Sequence, residues 1–132
     1  MAAVYTLGSQ ERIKSTKLIG TLFSGSNSQS IAAYPLRVVY LTATRDNEAI
    51  QTQMMVSVSK RHFKRAVKRN RVKRQIREAY RLNKQILLES LNTHHSQVSL
   101  TMAFIWQSDE LYPSSVVQES MKNLLHRIAE RL

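Results

Sequence analysis

Between Lys60 and Lys84 the sequence reads KRHFKRAVKRNRVKRQIREAYRLNK, twelve Lys and Arg against a single acid, Glu78. The excess of eleven positive charges in this segment equals the formal net charge of the whole chain, +11, so outside it the remaining bases and acids cancel. Any fold must give this segment a surface on which like charges stand close together, and must bury the apolar residues scattered among them. A helix that stabilised itself would interleave acids four residues from its bases. Here only Glu78 is available, and pairs such as Arg77 and Arg81 repel. Such a surface makes sense where a polyanion supplies the missing negative charge.

The apolar residues decide how the segment folds. At about 100° per residue Val72, Ile76, Ala79, Tyr80, Ile86 and Leu87 share one side of a helix, whereas Phe63, Ala66 and Val67 fall on the opposite side. One straight helix therefore cannot start at Lys60. The pattern predicts an irregular connection over 60–67 and a long helix over 68–91. On that helix Asn70, Lys73, Arg74, Arg77, Arg81 and Lys84 recur at three- and four-residue intervals, forming a cationic ridge above an apolar underside.

The flanking sequence supplies the elements against which such a helix can pack. Residues 1–14 have no period and read as an extended arm. Leu18, Ile19, Leu22 and Phe23 predict a short helix over 15–24, with Ser15 or Thr16 at its start and Gly25 at its end. Residues 24–34, small and polar, read as a loop, part of which can add a strand. Leu36–Thr44 is rich in β-branched and aromatic residues and predicts a strand. A turn around Asp46-Asn47 leads to a second strand over 51–59, where Met54, Val56 and Val58 alternate with Met55, Ser57 and Ser59, and the two suggest a hairpin. A loop over 92–97 follows the long helix. Then Val98, Leu100, Met102, Phe104 and Trp106 alternate with Ser99, Thr101, Ala103 and Ile105, the clearest strand in the chain. Strand, long helix and strand imply a parallel pair joined by a crossover. After a loop over 107–113, Val117, Met121, Leu124, Leu125, Ile128 and Leu132 predict a closing helix, with Ser115 and Gln118 placed for a capping box. With 132 residues, no repeats and no linker, the chain reads as a single α+β domain.

Several function classes are excluded by what is missing. There is no cysteine, so there is no disulfide framework and no thiolate chemistry. His62, His94, His95 and His126 lack metal-ligand spacing, the acid pair Asp109-Glu110 sits in a loop, and no phosphate-cradling glycine loop or nucleophile elbow is present. No catalytic residue and no protein metal site are therefore expected, and any chemistry belongs to a partner. The N-terminus lacks a basic start followed by an apolar run, and no stretch approaches about 18 uncharged apolar residues, so a cytoplasmic protein without membrane attachment is expected. A membrane-surface helix would set a Trp/Phe/Leu face against its basic one, which this segment does not have. Ile86–Leu91 does not continue into leucine heptads, which argues against a DNA-binding basic zipper. Nucleic acid is the favoured polyanion, and single-stranded RNA is its natural form if Phe23 and Tyr40 face outward in a groove beside the helix. Phe23, Tyr34, Tyr40 and Phe63 are either stacking surfaces for unpaired bases or core residues.

One stretch carries a more specific signal. Val56-Ser57-Val58-Ser59-Lys60-Arg61 leads into Ala66-Val67-Lys68-Arg69-Asn70-Arg71-Val72-Lys73-Arg74-Gln75-Ile76-Arg77-Glu78-Ala79, and the spacing RNR-x-x-KR-x-x-RE closely resembles the signature of the bacterial ribonuclease P protein component. Arg12-Ile13-Lys14 and Leu22-Phe23 also resemble that family's N-terminal segment, although Ile19 stands where the family has an aromatic. The resemblance implies an α/β sandwich of element order α-β-β-(β)-α-β-α with a left-handed β-α-β crossover, like domain 2 of ribosomal protein S5. It implies a ribonucleoprotein endonuclease in which a large RNA subunit and Mg²⁺ hydrolyse precursor tRNA, while the protein binds that RNA and the single-stranded 5′ leader. By position, Lys68, Arg69, Asn70, Arg71, Lys73, Arg74, Arg77 and Arg81 would meet the catalytic RNA, and Phe23, Tyr40, Lys60 and Arg61 would line or flank the leader cleft. Neither DNA nor a membrane is an expected partner, and self-association is left open. A basic ribosomal or general RNA-binding protein of similar fold, without a part in processing, is the alternative.

Overall fold

The computed structural model describes residues 28–44, 51–94 and 97–132. The expected arm over 1–14, the helix over 15–24, the turn near Asp46-Asn47 and Phe23 lie outside the described residues. Within them, four strands, β1 (Gln29–Ala33), β2 (Leu36–Thr44), β3 (Thr52–Ser57) and β4 (Val98–Trp106), form one sheet in the order β1-β2-β4-β3. Three helices, α1 (Ala66–Asn83), α2 (Gln85–His94) and α3 (Ser114–Arg131), complete the fold. The mixed α+β architecture agrees with the sequence reading, and β2 and β4 occupy the predicted residues.

β4 lies at the centre, with Val98, Leu100, Met102, Phe104 and Trp106 on one face and the smaller Ser99, Thr101 and Ala103 with Ile105 on the other. It pairs antiparallel with β2 and parallel with β3, the parallel pair being joined through α1 and α2. The register sets Leu36 opposite Trp106, Val38 opposite Phe104 and Tyr40 opposite Met102, and Met54 beside the same Met102. Directly opposed residues share a face. This face is buried with Val72, Ile76, Ala79 and Tyr80 of α1, Leu87 and Leu91 of α2, and Val117, Met121, Leu124, Leu125 and Ile128 of α3. The wheel reading of the α1 underside is thus correct, since it closes the core, but Lys84, read as part of the cationic ridge, is buried.

Four expectations need correction. β2 and β3 do not form a hairpin. They run antiparallel, as a hairpin requires, but β4 is inserted between them, leaving them two strand spacings, about 10 Å, apart. Alternation identified both as strands and carried no information about their partners. The hairpin partner of β2 is β1, the strand that part of the 24–34 loop was read as able to add, and only its pairing with β2 was not foreseen. There Ile31, facing Val38, is the one buried apolar residue among small polar ones, and Tyr34 and Pro35 make the turn. The long helix is divided at Lys84. The Asn83 side chain donates to the Ala79 carbonyl at 2.8 Å, the Lys84 N–H still donates to the Tyr80 carbonyl, and a second helix then extends from Gln85 to His94. Finally, Ser115 and Gln118 form no capping box. Pro113, with φ −61°, stands at the N-cap of α3, and the Val116 and Val117 N–H groups donate to its carbonyl, so Ser115 is already inside the helix. No helix among the described residues is long and apolar enough to cross a membrane.

Ile76 lies at the middle of the α1 underside and is fully buried. Ile76→Ala is expected to lower the unfolding free energy by about 2–5 kcal/mol in chemical denaturation. A change below about 0.5 kcal/mol would show that this face does not anchor the helix.

Candidate nucleic-acid interface

The upper side of α1 is built from residues that the docked underside leaves in solvent. Lys68, Asn70, Arg71 and Arg74 are exposed, and Lys73 and Arg77 are half-buried along the flank. Arg81 differs from these, because it donates through Nε to Glu78 Oε2 at 3.0 Å and through Nη2 to Glu78 Oε1. That fork of hydrogen bonds holds the Glu78 carboxyl below the usual carboxylate range, with the Arg81 charge adding to the effect and desolvation opposing it. The sole acid of the segment is thereby committed to Arg81. Lys68, Arg71, Lys73, Arg74 and Arg77 then make no ion pair among the described residues. At the helix start, Arg65 stands at the N-cap without a side-chain cap bond, and no acid occupies the first turn. Cations at the positive end of a helix dipole are unfavourable without a counter-anion.

Residues 58–65, which connect β3 to α1, have no helix or strand, as the sequence reading expects for most of that span. Side chains shape them instead. The N–H groups of His62 and Phe63 donate to the Ser59 carbonyl, and the Arg61 N–H donates to Ser59 Oγ at 3.1 Å, which makes a tight turn. The Phe63 ring is buried in the core. Arg69 reaches back from α1, its Nη1 donating at 2.8 Å to the carbonyls of both Phe63 and Lys64. His62 Nδ1 lies 2.7 Å from Asp109 Oδ1, across to the loop that follows β4. Lys60, Arg61, Lys64 and Arg65 are left pointing into solvent.

Beside this connection is a cleft of about 450 Å³, lined by Tyr34, Arg37, Ser57, Ser59, Arg61, His62, Ile105, Trp106 and Gln107. Arg37, Ile105 and Ser57 form one cross-strand row, alternating with the residues that face the helices, so the cleft floor belongs to the opposite face of the sheet. Arg37 Nε donates to Ser30 Oγ at 2.6 Å, which orients its guanidinium over that face. The exposed Tyr34 ring, 64% accessible, meets Tyr112 edge-on with centroids 6.3 Å apart. Two guanidinium groups, two serine hydroxyls and an exposed aromatic ring suit a phosphate and an unstacked base.

The structure separates the residues singled out by sequence. Lys60 and Arg61 are exposed at the cleft side of the chain, with Arg61 lining the cleft. Tyr40 is only 2% accessible, its ring enclosed with the core and its hydroxyl donating to Gln29 Oε1 at 2.8 Å, so it offers no open stacking face. Phe63 is likewise core. Sequence reading missed Arg37 and the His62–Asp109 contact; the only sequence signal for either was a charged residue interrupting a β pattern and an isolated histidine. No group of three or more His, Cys, Asp or Glu side chains comes together among the described residues.

A family model for ribonuclease P matches residues 7–129. A ribonuclease P protein component of Porphyromonas gingivalis is 43% identical over 127 residues, covering 96% of this chain and 89% of that protein. Among solved structures, the ribonuclease P protein of Staphylococcus aureus superimposes with a TM-score of 0.65 at 22% identity, over 91% of this chain and 95% of the other. That of Thermotoga maritima superimposes with a TM-score of 0.65 at 21% identity, over 89% and 96%.

Two measurements check the site as built. Arg69→Ala is expected to destabilise the fold by about 1–2 kcal/mol, because it leaves two carbonyls without their charged donor, whereas Arg74→Ala is expected to stay within about 0.5 kcal/mol. Equal effects in thermal unfolding would deny Arg69 its fastening role. Followed by NMR, Glu78 should titrate below an ordinary glutamate and return to the ordinary range in Arg81→Ala; the small stability this pair adds is present at neutral pH and lost as pH falls through the lowered Glu78 pKa.

Proposed function

Because this chain belongs to the ribonuclease P protein family, we propose that it is the protein subunit of a ribonucleoprotein that removes the 5′ leader from precursor tRNA. In this reading the RNA subunit performs the hydrolysis and Mg²⁺, held mainly by RNA, supplies the metal chemistry. The observation that carries the reading is the row of five cations on α1, Lys68, Arg71, Lys73, Arg74 and Arg77, which lack acid partners among the described residues and stand on a helix whose other side is locked into the core. A rigid helix presenting mostly Arg fits the closely spaced phosphates of a folded RNA, because the planar fork of Arg can bridge two oxygens. Asn70 stands among these cations as a neutral donor and acceptor. Arg69 joins them at the helix start with one nitrogen already spent on the chain. Arg81 contributes least, its charge being matched by Glu78.

The leader is assigned to the cleft side. Lys60 and Arg61 meet its phosphates, and Tyr34 provides the open ring, whereas Tyr40, enclosed on the core face of the sheet, does not line this cleft. Phe23 retains the role implied by the family signature. Single strands suit such a surface, since their bases are free to stack and their phosphates lie within reach of flexible cations.

Purified protein added to the catalytic RNA with precursor tRNA at low Mg²⁺ is expected to increase cleavage at the mature 5′ end. A protein that binds the RNA and gives no gain would be a structural RNA binder instead. If about five phosphates of a single strand are neutralised, the logarithm of affinity should fall with the logarithm of salt at a slope near −3.5, roughly a hundredfold between about 50 and 200 mM.

A further inference from the structure

The connection between β3 and α1 is held at two places that act on different halves of it. Its second half, residues 63–65, is fixed from the inside: the Phe63 ring is buried and the Arg69 guanidinium takes the Phe63 and Lys64 carbonyls. Its first half, residues 60–62, carries Lys60 and Arg61 and among the described residues has only the turn at Ser59 and the contact of His62 with Asp109. The two contact residues are unequal. The His62 side chain is 14% accessible and forms part of the cleft wall, whereas Asp109 is 78% accessible. An exposed ion pair adds little to stability. A carboxylate at the rim of a cleft suited to phosphate also opposes the ligand electrostatically, unless its contact with His62 does something for the site.

We propose that the His62–Asp109 contact is a positioning clasp: Asp109, on the loop after β4, holds the His62 ring against the cleft wall and thereby fixes the Lys60–Arg61 backbone in the orientation that presents both cations to the leader phosphates. The clasp rests on the assignment of Lys60 and Arg61 to the leader path. His62 and Asp109 are positioning residues, acting through the backbone of their neighbours. Ridge and clasp are independent, because α1 is anchored by its own underside and by Arg69. Loss of the clasp therefore affects the leader and spares the catalytic RNA.

The test uses the assembled ribonucleoprotein with full-length protein, comparing its affinity for precursor tRNA and for mature tRNA without a leader. In the unmodified enzyme the leader is expected to increase affinity. His62→Ala and Asp109→Ala should each weaken precursor binding roughly tenfold, the scale of one hydrogen bond to a charged group. Mature tRNA affinity, catalytic-RNA affinity and the thermal transition should stay unchanged, and the double variant should be no worse than either single one. His62→Asn, whose Nδ2 can occupy the place of the ring Nδ1, should restore most of the loss. Equal losses for precursor and mature tRNA, an effect of His62→Ala that Asp109→Ala does not share, or failure of His62→Asn to restore binding would each overturn the clasp while leaving the leader assignment in place. No leader-dependent affinity in the unmodified enzyme would overturn both.

Discussion

The burial of one side of α1 allows its other side to carry unopposed charge. Like charges one helical turn apart cost roughly 0.2–0.5 kcal/mol per pair, and α1 has several with only Glu78 to offset them. Val72, Ile76 and Tyr80 are fully buried, and Val72 and Ile76 each contribute roughly 1.5–3 kcal/mol by leaving water. Tertiary burial outweighs local repulsion, so the helix does not need the interleaved acids that an isolated helix would use. The consequence is functional. A surface freed from internal pairing keeps its charge available to an external anion, and its rigidity comes from the core rather than from the ligand.

The same anchoring divides the basic segment into parts with different mechanical character. α1 is a rod with fixed spacing between cations, matched to a partner of fixed shape. The 58–65 connection has no ladder of backbone hydrogen bonds and takes its shape from Ser59, His62, Phe63 and Arg69. Arg69 belongs to both, since it stands in the first turn of the rod while two of its hydrogen bonds end on the connection. A residue that sequence spacing places among the RNA-facing cations is thus also part of the scaffold. The orientation of the connection follows from that of the helix.

Legibility in the sequence followed the range of the interaction concerned. The bounds of β2 and β4 and the underside of α1 were readable because each depends on the alternation or periodicity of its own side chains. The start of α1 came within two residues for the same reason. The parallel pairing of β3 with β4 was readable from the order strand, long helix, strand, whereas the neighbour of β2 was not, because a half-buried strand looks alike beside either candidate. β1 has a single buried apolar residue, Ile31, too little to mark a period. The division at Lys84 leaves no mark in the apolar period, and the start of α3 comes from Pro113 pre-empting a plausible capping box. At the site, charge content located the ridge, but it could not show that Arg81 is paired, that Tyr40 is enclosed, or that His62 meets Asp109.

That last contact depends on strand order. His62 and Asp109 are 47 residues apart and meet only because β3 and β4 are adjacent and parallel, so the segments leaving their C-terminal ends emerge side by side. β2, antiparallel to β4, brings its N-terminal end to the same place, which sets Tyr34 and Arg37 beside Ile105 and Trp106. Ligand sites in sheets with parallel strands commonly lie outside the carboxyl ends of those strands, and here that position coincides with the entry to the basic helix. Had β2 and β3 formed the hairpin suggested by their alternation, the segment after β3 and the loop after β4 would have been separated by a strand, and the cleft would have lost Ser57 and Arg61 from its wall. Inserting β4 between them is what joins the cleft to the ridge through a single short connection.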